Sequence, residues 1–237
     1  MPTAASANVD PAELQRFNAL ASRWWDPNGP SRALHDLNPA RLGFIAAGTK
    51  LEGARVCDVG CGGGILSEAL ARAGADVVAL DLAEDVLGAA RLHALESGLA
   101  VEYRCEAVEQ YAGSHEGQFD AVTCMELLEH VPDPGAFVRE CARLLKPEGR
   151  LYVSTLNRTP QAFLTAIVGA EYLVGLLPKG THQFAQFIRP SELCGWLRDA
   201  GLRPLDVAGL QYRPITRRAW VGGSPSINYL ASAVKPA

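Results

Sequence analysis

The 237-residue chain has no CxxC pair, no run of basic residues and no uninterrupted apolar stretch of the roughly 20 residues needed to cross a bilayer. Each absence removes a class of function. The six cysteines (Cys57, Cys61, Cys105, Cys124, Cys141 and Cys194) fall mostly inside apolar segments, where cysteine packs as a small core side chain. That usage suits a reducing compartment rather than a disulfide framework. The formal net charge is -4 and Arg217-Arg218 is the one adjacent basic pair, so no nucleic-acid partner is expected. No basic segment followed by an apolar run opens the sequence, which predicts no signal peptide and a cytoplasmic location. Internal repeats and low-complexity segments are missing too.

What is present is an ordinary globular composition, 48% hydrophobic and 20% charged, over a length that suits one large domain. After a small, polar start, Asp10-Pro11 with Glu13 reads as a helix N-terminus: a capping acid, a proline in the first turn, and a carboxylate at the positive dipole end. Leu14, Phe17, Ala21, Trp24 and Trp25 continue at helical spacing, with an aromatic face expected to pack the core. Asp26-Pro27-Asn28-Gly29-Pro30 breaks that helix. A second helix is expected from Pro39 to Ala47. From residue 55 strands and helices alternate: strands at 55–59, 76–80, 101–105, 119–124 and 151–155, helices at 65–73, 86–97 and 137–145. A helix at 190–200 and strands at 205–210 and 227–234 follow. This order predicts an α/β fold with a doubly wound, mostly parallel, Rossmann-like sheet of seven strands.

The most informative motif is Val56-Cys57-Asp58-Val59-Gly60-Cys61-Gly62-Gly63-Gly64. A strand runs into a glycine turn that opens a helix, as required where backbone must reach positive φ and approach a ligand closely. An acid, Asp58, precedes the first glycine, and Asp81 ends the next strand, where a carboxylate can accept both hydroxyls of a ribose. A glycine turn that merely packs a helix on a strand is the structural alternative. A nicotinamide-dependent reductase shares the motif, but no later segment supplies a hydride-transfer site.

DVGCGGG, Asp81, MELLEHVPDP and the later LLKPEG resemble the class I S-adenosylmethionine methyltransferases over about residues 40 to 157. The resemblance implies that Gly60, Gly62, Asp81 and Met125 form the cofactor site, with Glu106 and Ala107 bordering the adenine. A narrower set of segments, ASRWWDPNGP, LHDLNPARLGFI, RLHALESG, TCMELLEHVPDP, STLNR, VGAEYL and PKGTHQF, is similar to the bacterial ubiquinone-biosynthesis O-methyltransferase family from Val9 to Val234. That family methylates phenolic hydroxyls of polyprenylated intermediates, a 2-polyprenyl-6-hydroxyphenol and a 3-demethylubiquinol. The likeness adds Arg41 as a cofactor contact, and implies a membrane surface and other ubiquinone-biosynthesis enzymes as partners. The expected organisation is one methyltransferase domain: an N-terminal helical segment (1–52), a cofactor core (53–157), a helical lid insertion after strand 5 (158–189) and the rest of the sheet (190–237). A methyltransferase for another small hydrophobic acceptor stays open.

Methyl transfer from a sulfonium to a phenol is mostly positioning, but the phenolic proton, with a pKa of about 10, must be removed or stabilised. If the segment after strand 4 is helical, Glu126 faces Glu129 and His130, and the three could hold a divalent cation such as Mg²⁺. His130 alone could act as a base, and His182 is a second candidate. Finally, Ala162 to Leu177 (AFLTAIVGAEYLVGLL) is apolar nearly all round a helical wheel. It is expected either as a core helix or, with a prenylated acceptor, as a lid docked on the inner face of the membrane. In the docked arrangement Phe163, Ile167, Leu173 and Leu177 would enter the interface, and Arg158 and Lys179 would lie near lipid phosphates.

Overall fold

The computed structural model describes residues 8–164 and 184–237. Its sheet contains β1 (Arg55–Val59), β2 (Asp76–Asp81), β3 (Val101–Cys105), β4 (Phe119–Met125), β5 (Leu145–Leu156), β6 (Arg203–Arg213), β7 (Arg218–Val221) and β8 (Asn228–Val234). The strand order is β3-β2-β1-β4-β5-β8-β6-β7. The first five pair in parallel, β8 runs antiparallel between β5 and β6, and β7 is a short hairpin partner of β6.

The helices are α1 (Pro11–Asn18), α2 (Arg32–Gly48), α3 (Ile65–Arg72), α4 (Glu84–Glu96), α5 (Val108–Ser114), α6 (Pro134–Leu144), the short α7 (Pro160–Ala162) and α8 (Pro190–Asp199). The central strands are apolar on both faces because helices cover both. On one face Val56, Val77, Ala121 and Tyr152 pack with Leu37, Ile45, Leu66 and Leu70 of α2 and α3. On the other, Cys57, Val78, Val122 and Val153 pack with Tyr111, Phe137, Cys141 and Leu193 of α5, α6 and α8. The winding direction reverses between β1 and β4, which opens a crevice at the carboxyl ends of the strands, the usual place for a ligand on such a sheet.

The expected doubly wound sheet is present, with local differences in its strands and helices. The eighth strand is β7, whose short turn-rich sequence carries no alternation long enough to read. Helix α2 begins at Arg32 and runs through Pro39. A proline seven residues into a helix forfeits one backbone hydrogen bond, and burial of Leu37, Arg41 and Ile45 on the sheet offsets it. Helix α1 stops at Asn18, so Trp24 and Trp25 lie beyond it. They serve separate partners: Trp25 stacks on His93 with ring centroids 3.4 Å apart and donates from Nε1 to the Gly63 carbonyl, while Trp24 lies against the glycine turn. No described helix is long and apolar enough to cross a membrane. Most of the expected lid, with Ile167, Leu173, Leu177, Lys179 and His182, lies outside the described residues. Arg158 donates to the Phe187 carbonyl and to Glu192.

Candidate active site

Strand β1 ends on Asp58 and Val59, and the chain then turns on Gly60 (φ 71°) and Gly62 (φ 51°), both in the left-handed region. The turn is also crowded. A Cβ on Gly62 would sit 2.4 Å from the Trp24 indole, so glycine is required both for the backbone angle and for the close approach of that ring. Buried Asp58 holds the turn from below, accepting hydrogen bonds from Thr123 on β4 (2.7 Å) and Ser67 on α3 (2.6 Å). Asp81 at the end of β2 accepts from the Gly62 N–H (2.8 Å) and the Ala83 N–H (2.9 Å), which locks the glycine turn to the neighbouring strand end. Burial pushes the Asp81 carboxyl above its ordinary pKa, against those amide donors.

A cavity of about 800 Å³ lies over this edge. Arg41, Gly60, Gly62, Asp81, Glu106, Ala107 and Met125 all line it, so the fold gathers every residue expected at the cofactor. The cavity also carries buried polar atoms without hydrogen-bond partners: Arg41 Nε, Trp24 Nε1, Ser31 Oγ and Asn38 Oδ1. Orphaned polar atoms in a polar corner are what a charged, hydroxylated ligand satisfies. S-adenosylmethionine, with its aminocarboxylate and ribose, fits that set. From β2 and β1 the cavity extends across β4 to the far side of the sheet, where the apolar side chains of Leu156 at the end of β5, Leu210 on β6 and Ile227 beside β8 line it together with Gln211, Tyr212 and Asn228.

The loop after β4 joins the two halves. Glu126 adopts φ 51°, a strained angle for a residue with a side chain, and its N–H donates to the Ser154 carbonyl. Its carboxylate accepts from Arg41 (3.0 Å), Ser154 Oγ (2.7 Å) and Asn228 (3.1 Å). Glu129 is buried and accepts from Thr155 Oγ1 at 2.7 Å, while its other oxygen has no partner. His130 Nδ1 lies 2.8 Å from Glu13 Oε2 of α1, and Phe17 meets the imidazole edge-on. His130 and Glu126 line the cavity, and Glu129 does not.

Residues 32–207 match the family model described as a methyltransferase domain. The ubiquinone biosynthesis O-methyltransferase of Xanthomonas campestris pv. campestris is 58% identical over 235 residues, 99% of this chain and 98% of that protein. The chain belongs to the ubiquinone biosynthesis O-methyltransferases. A second member of the family, from Xanthomonas axonopodis pv. citri, is 58% identical over 233 residues and 98% of each chain. Among solved structures, the fold resembles the magnesium protoporphyrin IX methyltransferase of Synechocystis PCC 6803 with bound S-adenosylhomocysteine, at 22% identity and a TM-score of 0.70, covering 94% of this chain and 98% of that one. A putative methyltransferase of Bacillus halodurans is similar at a TM-score of 0.62 and 23% identity, over 84% of this chain and 98% of that one. Like its family, the chain is an S-adenosylmethionine-dependent methyltransferase.

The family motif Glu126-Leu127-Leu128-Glu129-His130 is arranged differently from the helix expected for it. Glu126 precedes a single 3-10 turn (Leu128–His130) and its positive φ sends its carboxylate to β5 and β8, so it does not face Glu129 and His130 along a helix. The three side chains are taken up by separate partners, and the described residues contain no group of three His, Cys, Asp or Glu placed to hold a metal ion. As arranged, this donor set does not fit the divalent cation considered above. Two features could not be read from local sequence: Glu13 as the partner of His130, and Trp24 as the packing surface of the glycine turn.

Burial and the nearby Glu126 carboxylate raise Glu129 to about 7, offset in part by His130 and Thr155. A carboxyl with a raised folded pKa stabilises the fold least where it must ionise: its cost is absent below the unfolded value of about 4.3 and complete above the folded one. Glu129→Gln should therefore raise the urea-unfolding free energy by ~2 kcal/mol at pH 8 and change it little at pH 4. Equal effects at both pH values would show that Glu129 does not titrate in this window.

Proposed function

We propose that this enzyme transfers the methyl group of S-adenosylmethionine to phenolic hydroxyls of polyprenylated ubiquinone precursors, a 2-polyprenyl-6-hydroxyphenol and a 3-demethylubiquinol. The observation that carries this reading is the shape of the cavity. It crosses the carboxyl edge from Gly60 and Asp81, where the cofactor belongs, to the apolar wall of Leu156, Leu210 and Ile227, with His130 at the junction. An aromatic ring on that wall would present a hydroxyl toward the sulfonium methyl, and its prenyl chain would continue along apolar surface. Catalysis then rests on alignment of the two reactants and on removal of one proton. Comparing acceptors tests it: a demethylubiquinol with a short prenyl tail should be methylated with kcat/KM at least about 10-fold above its tail-less analogue, since each buried methylene is worth about 0.8 kcal/mol. Equal efficiency for both would argue for another small phenol as the substrate.

The same reading puts the enzyme at the inner face of the membrane, where such tails reside, with other ubiquinone-biosynthesis enzymes as its partners there. Support comes from the described edge of the apolar segment: Phe163 and Leu164, just past α7, are exposed, at 42% and 63%. Anionic vesicles should co-sediment the protein, and Phe163→Glu with Leu164→Glu should reduce that binding while S-adenosylmethionine affinity is kept. Wild type that ignores vesicles would remove the membrane from the account.

A further inference from the structure

We infer that Glu13 is a positioning residue, holding the His130 ring so that this imidazole takes the proton of the acceptor hydroxyl. The inference rests on the proposed methylation of a phenol and adds to it the group that removes the proton. Three observations carry it. Glu13 Oε2 and His130 Nδ1 are 2.8 Å apart, with side chains 9% and 8% exposed, so the contact is sheltered from water. Phe17, one turn further along α1, meets the same ring edge-on with centroids 5.3 Å apart, fixing its plane. His130 lines the cavity on the loop that follows β4, the strand between β1 and β5.

A carboxylate on Nδ1 sets the tautomer. With the Nδ1 proton given to Glu13, proton exchange with an acceptor takes place at Nε2. The hydroxyl proton passes to His130 Nε2, the oxygen electron pair forms the new O–CH₃ bond, and the C–S bond breaks with its pair remaining on sulfur. The products are the methyl ether, the thioether S-adenosylhomocysteine and a protonated His130, which later returns its proton to solvent.

The surroundings support a stronger base. Glu13 on α1 faces the ring, Glu129 and Glu126 approach it from its own loop, and the cations Arg16 and Arg41 are paired with Glu13 and Glu126. Burial alone would lower the imidazole, but the Glu13 hydrogen bond and the carboxylates outweigh it and raise His130 above its ordinary range. Because Glu13 is 117 residues from His130 in the chain, the base is aligned only when α1 is seated over the cavity.

The test uses the full chain with two acceptors, catechol and a nitro-substituted catechol that is already ionised at the assay pH. Glu13→Gln should lower kcat on catechol by about 10- to 100-fold, part of the 10²–10⁴ that acid–base catalysis supplies, with KM for S-adenosylmethionine within about twofold. The acid limb of its kcat profile should move to lower pH, because the carboxylate that raised the ring is gone. Glu13→Asp should recover part of the rate, and on the nitro-catechol the loss should shrink to within about threefold. His130→Ala should show the same contrast between acceptors, which keeps the test decisive if Glu13→Gln fails to fold. Equal losses on both acceptors, or an unmoved acid limb, would overturn the inference. A wild type that binds S-adenosylmethionine but methylates neither catechol nor a short-tailed 3-demethylubiquinol would instead overturn the proposed function, and the role of the dyad with it.

Discussion

Replacing Asp81 with alanine is expected to weaken S-adenosylmethionine binding by about 100-fold while the protein stays folded. The carboxylate has two duties at this position. It accepts the Gly62 and Ala83 amides, and so shapes the glycine turn, and its place at the end of β2 puts it within reach of a ribose. A hydrogen bond to a charged group contributes about 1.5–3 kcal/mol, so two lost ribose contacts correspond to about 3 kcal/mol and the stated factor. Asp81→Asn separates the duties, because an amide oxygen can still accept one backbone N–H. It should bind the cofactor with an affinity between wild type and the alanine variant. Titration calorimetry on folded protein checks both, and an unchanged affinity for Asp81→Ala would remove Asp81 from the cofactor site.

Arg41→Ala should cost about 3–5 kcal/mol of stability in addition to cofactor affinity. The guanidinium is 5% exposed and pairs with Glu126, itself only 17% exposed, so truncating the arginine leaves a carboxylate in a low-dielectric pocket without its cation. Burial pushes the Glu126 carboxyl up, but Arg41, Ser154 and Asn228 together hold it below its ordinary range. Such a group contributes stability above the unfolded carboxylate pKa of about 4.3, and the contribution disappears as pH falls through the folded value. In Arg41→Ala the carboxyl can take up a proton instead, so the stability difference from wild type should be largest near pH 7 and smaller near pH 4. Adding Glu126→Gln should restore part of the stability and none of the cofactor affinity. A single-variant loss below about 1 kcal/mol would mean that water reaches the pair and screens it.

Much of this architecture is legible in the sequence because its determinants are local. The apolar runs of β1, β2 and β4, the glycine turn after Asp58 and the acid at Asp81 are all read from neighbouring residues, and the structure assembles them in a single crevice. Features set by distant partners were not legible. Pro39 suggested a helix start, yet α2 passes through it because the sheet buries residues on either side. Trp24 and Trp25 fit a helical period, but packing against Gly62 and His93 drew them into a separate turn. The spacing of Glu126, Glu129 and His130 suggested one shared face, whereas a positive φ at Glu126 and three long-range partners divide them. In the sequence Glu13 reads only as a dipole-favoured residue in a first turn. Its contact with His130 has no signature in the chain near either residue.

The cavity delivers a methyl group to a phenolic oxygen. The most direct measurement incubates the purified protein with S-adenosylmethionine labelled with carbon-13 in its methyl group and a short-tailed 3-demethylubiquinol, then locates the label by NMR. The account predicts stoichiometric appearance of the label as a methoxy carbon, with equivalent formation of S-adenosylhomocysteine. Label on a ring carbon, or S-adenosylmethionine recovered intact beside unmodified acceptor, would contradict it.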